Sequence, residues 1–88
     1  MANCYVVYIL KCSDSTLYTG ITNDLKRRLQ QHLLGKASKY TRCRLPVQLV
    51  YIEGEYTKGQ ALTRELAIKK LNRQQKMDLI ANAELIPF

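Results

Sequence analysis

The stretch from Tyr5 to Cys12, which reads YVVYILKC, constrains the fold of this chain more than any other feature. Its residues are almost all β-branched or aromatic, a composition typical of a β-strand. Polar and apolar residues do not alternate along it, so both faces of the strand are expected to be buried. The stretch therefore predicts the central strand of a sheet that is covered on both sides.

The length of the chain limits what can be built around that strand. Its 88 residues are the size of one domain. A chain of this size buries roughly 64% of its surface on folding, which supports one modest core. We predict a single domain over residues 1–88, because there is no room for a doubly wound dinucleotide-binding domain beside a second one.

A hairpin is expected after the first strand. Residues 13–15 (Ser-Asp-Ser) have turn chemistry, and residues 16–21 can return as a second strand. A three-residue loop would set Tyr8 opposite Gly20 and make Tyr8 and Tyr18 diagonal neighbours on one face. Because Gly20 has no side chain, we expect an open spot there, where a ligand backbone can approach both phenols. A two-residue loop would reverse this arrangement.

The first helix is predicted from leucines at a spacing of four residues. Leu25, Leu29 and Leu33 are expected to form its buried stripe, with Arg28 and His32 on the flank of that stripe. We expect Thr22 or Asn23 to cap the helix, Asp24 to lie in its first turn and Gly35 to end it.

The remaining elements follow from local signals. A basic loop over residues 36–45, with at most a short helical turn, leads to a third strand over residues 47–53. Capping-box patterns begin at Thr57 and at Asn72 and predict helices to about residues 71 and 83. The predicted fold is α+β, in the order β-β-α-β-α-α. It has a three-stranded antiparallel sheet of strand order 2-1-3 and three to four helices.

The charge of the chain points to a polyanionic partner. It has 14 basic and 7 acidic residues and a net charge of +7. Seven basic residues and no acidic residue lie between Lys26 and Arg44, and five lie between Arg64 and Lys76 against Glu65 alone. This pattern favours nucleic acid first and an acidic membrane surface second.

Other residues exclude several classes of protein. The three cysteines, without a C-x-x-C motif, indicate neither a disulfide framework nor a zinc site and are expected to pack reduced in the core of a cytoplasmic protein. The N-terminal apolar run is too short for a membrane span and lacks the basic residues of a signal peptide, so no membrane partner is expected. The chain has one histidine and no glycine-rich phosphate loop, which argues against nucleotide hydrolysis.

Three acidic positions allow two interpretations each. Glu65 lies among apolar residues of its predicted helix, where it either pairs with a Lys or Arg or binds a cation. Glu53 and Glu55 either share a strand face suited to metal binding or, because Gly54 separates them, lie in a solvated turn.

Arg28 also allows two interpretations: it is either a bidentate phosphate ligand or a solvated helix charge.

Five short motifs occur in one order at regular spacing. Val6-Val7-Tyr8 is followed, after nine residues, by Tyr18-Thr19-Gly20. Arg28 lies eight residues beyond Gly20, His32 four residues further on, and Glu65 in a later helix. In this pattern the chain resembles the GIY-YIG nuclease family, and its later part is similar to the small stand-alone bacterial branch of that family.

The resemblance implies a metal-dependent endonuclease that hydrolyses DNA, in a setting such as repair or recombination. It assigns Glu65 as the sole protein ligand of one Mg²⁺ or Mn²⁺ ion and Arg28 as the stabiliser of charge on the phosphate. Tyr8 would act as the general base, assisted by Tyr18 or His32. Because a free tyrosine has a pKa of about 10, nearby cations are expected to lower the pKa of Tyr8.

DNA is the implied partner. A protein that targets the cut is expected beside it, because so short a chain has no separate targeting domain. Contacts to phosphates that do not read sequence are expected from Gly20 and from basic residues in both blocks. These basic residues are Lys26, Arg27, Lys36, Lys39, Arg42, Arg44, Lys69 and Lys70.

The chain departs from the family pattern at three places. Val6 stands where the first motif has Gly, and Thr19 stands where the second has Ile. The Asn that the family carries after its glutamate helix has no clear counterpart, because Asn72 lies too early and Asn82 too late. Two alternatives therefore stay open: a nucleic-acid-binding module with weak or no catalysis, and a basic protein-interaction module.

Overall fold

The computed structural model describes residues 4–83. Three strands form one sheet, and four helices pack around it. In chain order the elements are β1 (Tyr5–Lys11), β2 (Leu17–Thr22), α1 (Leu25–Leu33), α2 (Lys39–Arg42), β3 (Gln48–Tyr56), α3 (Lys58–Lys69) and α4 (Arg73–Ala81).

The sheet has the predicted order β2-β1-β3, and both pairs of strands are antiparallel. Residues 7–10 of β1 are completely buried, so the prediction of a central strand covered on both faces is confirmed. Val7 and Ile9 pack on one side of the sheet against Ala61 and Ile68 of α3. Tyr8 alternates with them and therefore faces the other side.

The hairpin register is also confirmed. The Cys12 amide donates to the Thr16 carbonyl at 2.9 Å, and Ser15 adopts a left-handed φ of 67° inside the three-residue loop. Tyr8 pairs with Gly20 as expected. The prediction of an open spot beside Gly20, however, is wrong, because a Cβ at residue 20 would lie 2.6 Å from the Tyr8 hydroxyl. Gly20 makes room for the ring of Tyr8, which fills the space expected for a ligand.

Helix α1 differs from its prediction at both the cap and the buried face. Asp24 is the N-cap and accepts from the Arg27 amide, because Thr22 still belongs to β2. Leu33 is 55% exposed, whereas His32 is completely buried. The helix is therefore buried most deeply on the Arg28 and His32 flank, which faces Tyr8; Leu25 and Leu29 are half-buried, and Leu33 lies outside the contact surface.

The capping boxes at Thr57 and Asn72 are both confirmed, and they begin α3 and α4. Strand β3 continues to Tyr56, beyond the predicted end at residue 53. Glu55 takes a positive φ of 46° within this strand, so the predicted turn is replaced by a local irregularity. The prediction that all three thiols pack in the core is wrong, because only Cys12 is buried, and Cys4 and Cys43 are exposed.

Candidate active site

A hydrogen-bonded chain of buried side chains links β1, α1 and α2. The Tyr8 hydroxyl lies 2.8 Å from His32 Nε2, and His32 Nδ1 lies 2.9 Å from Thr41 Oγ1. Thr41 Oγ1 in turn lies 3.4 Å from the Ser38 carbonyl oxygen. Tyr8, His32 and Thr41 are all completely buried. We call these three residues the Tyr-His-Thr chain.

The short helix α2 positions the last member of this chain. Ser38 caps it by accepting from the Tyr40 amide, and the Arg42 amide donates to the Ser38 carbonyl at 3.0 Å. One turn of helix therefore holds Thr41 against α1. The loop in which it lies was expected to contribute phosphate contacts, so Thr41 was not predicted as a site residue, and no local pattern marks it.

Arg28 reaches the chain from α1. Its Nε atom donates to the Tyr8 hydroxyl at 3.4 Å, and its Nη1 atom donates to Gln31 at 3.4 Å. In residues 4–83 no carboxylate forms an ion pair with Arg28. A partly buried guanidinium without an acidic partner is suited to an anionic ligand such as a phosphate. A small cleft of about 190 Å³ beside it is lined by Thr22, Asn23, Asp24, Arg27, Arg28 and Gln31.

Tyr18 lies between the buried chain and the surface. Its ring centroid is 6.4 Å from that of Tyr8 and 5.3 Å from that of His32. On its outer side Tyr40 stacks at 6.0 Å, and the Arg44 guanidinium lies 3.9 Å from the centre of the Tyr40 ring. The expected proximity of Tyr8 and Tyr18 is confirmed. No hydrogen bond joins the two, but the hydroxyls of Tyr8 and Tyr18 both act on Arg28 and help to raise the pKa of its guanidinium.

Burial is the largest influence on the pKa values of His32 and Tyr8. It lowers the pKa of His32 to about 4, with Arg28 as a second cause, so the imidazole is neutral at pH 7. Burial also raises the pKa of Tyr8, although the hydrogen bond from Arg28 opposes it. Arg28 lowers the pKa of Tyr8, as expected of a basic neighbour, but desolvation outweighs it, so the pKa of the hydroxyl lies above its ordinary value.

Glu65 projects from α3 and is mostly shielded, with 16% of its side chain exposed. Lys69, one turn further along the helix, lies 3.4 Å from its carboxylate. Glu65 is close enough to Tyr8 for its charge to contribute to the raised pKa of that hydroxyl. This is the smallest of the influences on the pKa of Tyr8, and no hydrogen bond joins Glu65 to Tyr8 or Arg28 in residues 4–83.

The donor set of Glu65 fits a hard divalent cation. In the described part of the chain, no hydrogen-bond donor apart from Lys69 approaches its carboxylate, and no group of three or more His, Cys, Asp and Glu side chains is arranged to hold a metal. A single carboxylate leaves the other positions to water and phosphate oxygens, which is the pattern that Mg²⁺ favours.

The second acidic group has a structural role. Glu53 accepts hydrogen bonds from Arg64, from Tyr51 and, at 2.9 Å, from Tyr56. Burial raises the pKa of the Glu53 carboxyl, and these donors more than offset it, so the pKa lies below its usual value. Because Glu53 is saturated by these partners and Glu55 points into solvent, the two do not form a metal site.

Of the eight basic residues predicted to contact phosphates, six are exposed and without an ion pair in residues 4–83. The other two are paired: Arg44 with Asp14 at 3.0 Å, and Lys69 with Glu65. Gly20 is buried beneath Tyr8. The unpaired six are Lys26, Arg27, Lys36, Lys39, Arg42 and Lys70.

After Glu65, the described residues contain two asparagines, and both lie at the ends of α4. Asn72 is engaged as the N-cap of α4, where its side chain accepts from the Gln75 amide. Asn82 is the C-cap residue of the same helix. The interpretation of Asn72 as a helix cap is therefore confirmed.

A larger depression lies away from this site. It measures about 710 Å³ and runs along α3 from Tyr56 to Ala67. Its lining is mainly apolar, and its one charged side chain, Arg64, is already paired with Glu53. This depression is larger than the cleft beside Arg28, but the side chains suited to phosphate chemistry lie around Tyr8, so it is not the candidate active site.

Comparison with known proteins agrees with the motif pattern. The model of the GIY-YIG catalytic domain matches residues 4–78. The chain therefore belongs to the GIY-YIG family, which is a family of nucleases.

Individual relatives are small proteins of similar length. A UPF0213 protein of Clostridium perfringens is 52% identical over 79 residues, which cover 90% of this chain and 85% of the relative. A UPF0213 protein of Haloquadratum walsbyi is 48% identical over 79 residues, covering 90% and 89%. The solution structure of a UPF0213 protein from Bacillus halodurans is similar with a TM-score of 0.57 and 42% identity, over 88% of this chain and 82% of that one.

A second solution structure, of a protein from E. faecalis, matches with a TM-score of 0.59 and 30% identity over 100% of this chain and 96% of that one. These neighbours agree with the α+β fold of the chain. Within residues 4–83, none of the helices has the length and apolar character needed to cross a bilayer.

Proposed function

We propose that this protein is an endonuclease that hydrolyses phosphodiester bonds in DNA with the help of one Mg²⁺ or Mn²⁺ ion. One observation carries the proposal: Arg28, which has no acidic partner in residues 4–83, donates to the buried Tyr8 hydroxyl, and the charge of Glu65 also acts on that hydroxyl. A free guanidinium, a proton-accepting group and a cation ligand are the three parts that phosphodiester hydrolysis needs.

Each residue has a separate role in this proposal. Arg28 binds the phosphate and stabilises the charge that grows on it as water attacks. Tyr8 accepts the proton of the attacking water, and His32 supports it through their 2.8 Å hydrogen bond. Glu65 would hold the cation, which supplies charge stabilisation to a phosphate oxygen when bound. Lys69 would then give up its contact with Glu65.

DNA is the proposed substrate because the unpaired basic residues are exposed around α1 and α2. If about four to six phosphates are contacted on duplex DNA, log K should fall against log salt with a slope of about −4 to −5. A slope near zero would contradict a nucleic-acid function of any kind. A preference for branched DNA would favour a role in repair or recombination.

The experiment compares cleavage of labelled single-stranded, duplex and branched DNA with Mg²⁺, with Mn²⁺ and with a chelator. Glu65→Gln should lose about 10³-fold in cleavage rate while DNA binding stays the same or strengthens, because one negative charge is removed. The matched control is Glu55→Gln, which makes the same change at an exposed position outside the site and should cut at the wild-type rate. Equal cutting by the Glu65 variant would contradict the proposal.

The second candidate is a DNA-binding module of the same fold. It is favoured by one observation: the side chain of Asn72 is engaged as the N-cap of α4 and is therefore not free for a catalytic role. Salt-dependent binding by a wild-type protein that cuts none of the three substrates, with either metal, would establish this alternative.

A further inference from the structure

The hydrogen-bond partners of His32 define which of its two nitrogens carries the proton. Thr41 has one hydroxyl proton, and the Ser38 carbonyl next to it can only accept. If Thr41 donates to Ser38, its oxygen must accept from His32, which puts the imidazole proton on Nδ1. Nε2 is then left with a lone pair that faces the Tyr8 hydroxyl.

The hydrogen bonds of Tyr8 lead to the same assignment independently. Its oxygen contacts Arg28 Nε, which only donates, and His32 Nε2. With a proton on Nε2, the Tyr8 hydroxyl proton would have no acceptor in the described part of the chain. A buried donor without an acceptor costs about 1–3 kcal/mol, so both ends of the chain favour the Nδ1–H form.

We propose that Thr41 is a positioning residue that holds His32 in the Nδ1–H tautomer, so that Tyr8 can pass its proton to His32 Nε2 when it accepts one from water. The proposal rests on the proposed nuclease function for its catalytic part. Thr41 does not touch the substrate and acts only through His32. Its place is that of the third member in a nucleophile–histidine–acceptor triad, with a hydroxyl where such triads often have a carboxylate.

The proton movements balance. The water oxygen forms a bond to phosphorus, and the bond from phosphorus to the leaving oxygen breaks. One proton of the water moves to the Tyr8 oxygen, and the Tyr8 hydroxyl proton moves to Nε2. The imidazolium then donates to Thr41 and to Tyr8. It returns its proton through Tyr8 to solvent after the leaving oxygen has been protonated from water.

This relay explains how a tyrosine with a raised pKa takes part at neutral pH. Burial keeps the Tyr8 hydroxyl protonated, so a phenolate is not available in advance. Burial also keeps His32 unprotonated down to a pKa of about 4, so its lone pair is always available to accept. The imidazolium formed in the step lies next to a phosphate that is gaining negative charge, which stabilises it.

The test uses tag-free, ¹⁵N-labelled protein, in which His32 is the only histidine. Two-bond ¹H–¹⁵N correlation spectra at pH 7 identify the protonated nitrogen without any assay of activity. We expect Nδ1–H in the wild type and in Thr41→Ser, which keeps the hydroxyl. Thr41→Val has nearly the same shape but no acceptor for Nδ1–H, whereas Tyr8 still needs the lone pair of Nε2, so we expect its spectrum to show both tautomers.

Cleavage by the same three proteins tests the catalytic part. Thr41→Val should lose about 10²-fold in kcat with KM and DNA affinity unchanged, because only the proton relay is broken. Thr41→Ser should restore most of the activity, and thermal unfolding of each variant gives the folded fraction. Full activity of Thr41→Val would overturn the positioning role, and an Nε2–H spectrum of the wild type would overturn the tautomer assignment even if Thr41→Val fails to fold.

Failure of the proposed function gives a different result. If the wild type shows Nδ1–H but cuts no DNA, the nuclease proposal is overturned and the catalytic part of this proposal with it. If the wild type cuts and Glu65→Gln does not, while the wild-type proton is on Nε2, the nuclease stands and only the role of Thr41 is overturned.

Discussion

Two polar clusters lie on opposite faces of the same sheet, and they differ in how their charges are matched. On the side of α3, the Glu53 carboxylate is joined by Arg64 and two tyrosine hydroxyls, so each charge has its counter-charge. On the side of α1, the Tyr-His-Thr chain is neutral, and Arg28 lies against it without a carboxylate. We call them the Glu53 cluster and the Arg28 cluster.

The difference separates a structural cluster from a functional one. A partly buried ion pair whose carboxylate is fully hydrogen-bonded has little capacity left for a ligand, and removing one partner leaves an unpaired charge. An arginine that meets only a hydroxyl and an amide keeps most of its capacity for a phosphate. The Glu53 cluster should therefore matter for stability, and the Arg28 cluster for chemistry.

The largest expected effect is on cleavage by Arg28→Ala. Loss of the guanidinium should lower single-turnover cleavage by about 10²–10³-fold, because it removes charge stabilisation at the phosphate. The free energy of unfolding should change little, since both hydrogen bonds of Arg28 are long at 3.4 Å. Urea denaturation measures the second quantity. Wild-type cleavage by this variant would remove the distinction between the two clusters.

As the pH falls, the Arg28 cluster should lose its contribution to the free energy of unfolding before the Glu53 cluster does. Because the folded pKa of His32 is about 4 and the unfolded value is 6.5, the unfolded chain binds more protons between these pH values. His32 should therefore reduce the free energy of unfolding by about 3 kcal/mol as the pH falls from 7 to 4. The contribution of Glu53, whose folded pKa is lowered, is present above its ordinary value of 4.5 and is lost only at lower pH.

Urea denaturation at a series of pH values, on the wild type and on His32→Gln, isolates the histidine contribution. The variant should lack the slope between pH 6.5 and 4 but keep the loss below pH 4.5. Parallel curves for the two proteins would show that His32 is not buried in its neutral form.

Arg64→Met should have the opposite profile to Arg28→Ala. It leaves Glu53, whose side chain is 15% exposed, with two hydroxyls and no counter-charge, at a cost of about 2 kcal/mol in unfolding free energy. Cleavage per folded molecule should stay near the wild-type rate. The double variant Arg64→Met with Glu53→Gln should recover part of the loss. A loss of cleavage without a loss of stability would place Arg64 in the active site.

Gly20→Ala should have the smallest effect of the four and tests the packing of Tyr8. Its new Cβ would lie 2.6 Å from the Tyr8 hydroxyl, so the ring must shift, which we expect to lower stability by about 1–2 kcal/mol. The matched control is Gly59→Ala in α3, where a Cβ meets nothing within 4 Å and helix propensity should raise stability by about 0.5 kcal/mol. Thermal unfolding of both variants checks the pair, and equal stabilities would contradict the contact.

The parts predicted correctly from sequence depend on near neighbours in the chain. The hairpin register follows from three turn residues, and the two capping boxes follow from side chains three residues apart. The family motifs could also be recognised from the sequence, because each of them consists of given residue types at fixed spacings along the chain. The errors concern which face of a helix is buried: in α1, Leu33 was expected to be buried and is exposed, whereas His32 is completely buried. Spacing predicts that a helix has a buried face, but only its neighbours decide which face is buried.

The sequence by itself therefore determined the central strand, the register that joins Tyr8 to Gly20, the starts of α3 and α4 and the membership of a nuclease family. Only the tertiary structure decided that Thr41 meets His32, that Arg64 neutralises Glu53 and that the space over Gly20 belongs to Tyr8. The physical reason is range. Propensities, caps and turns act within a few residues, whereas hydrogen bonds and desolvation act between side chains that the fold brings together from distant parts of the chain.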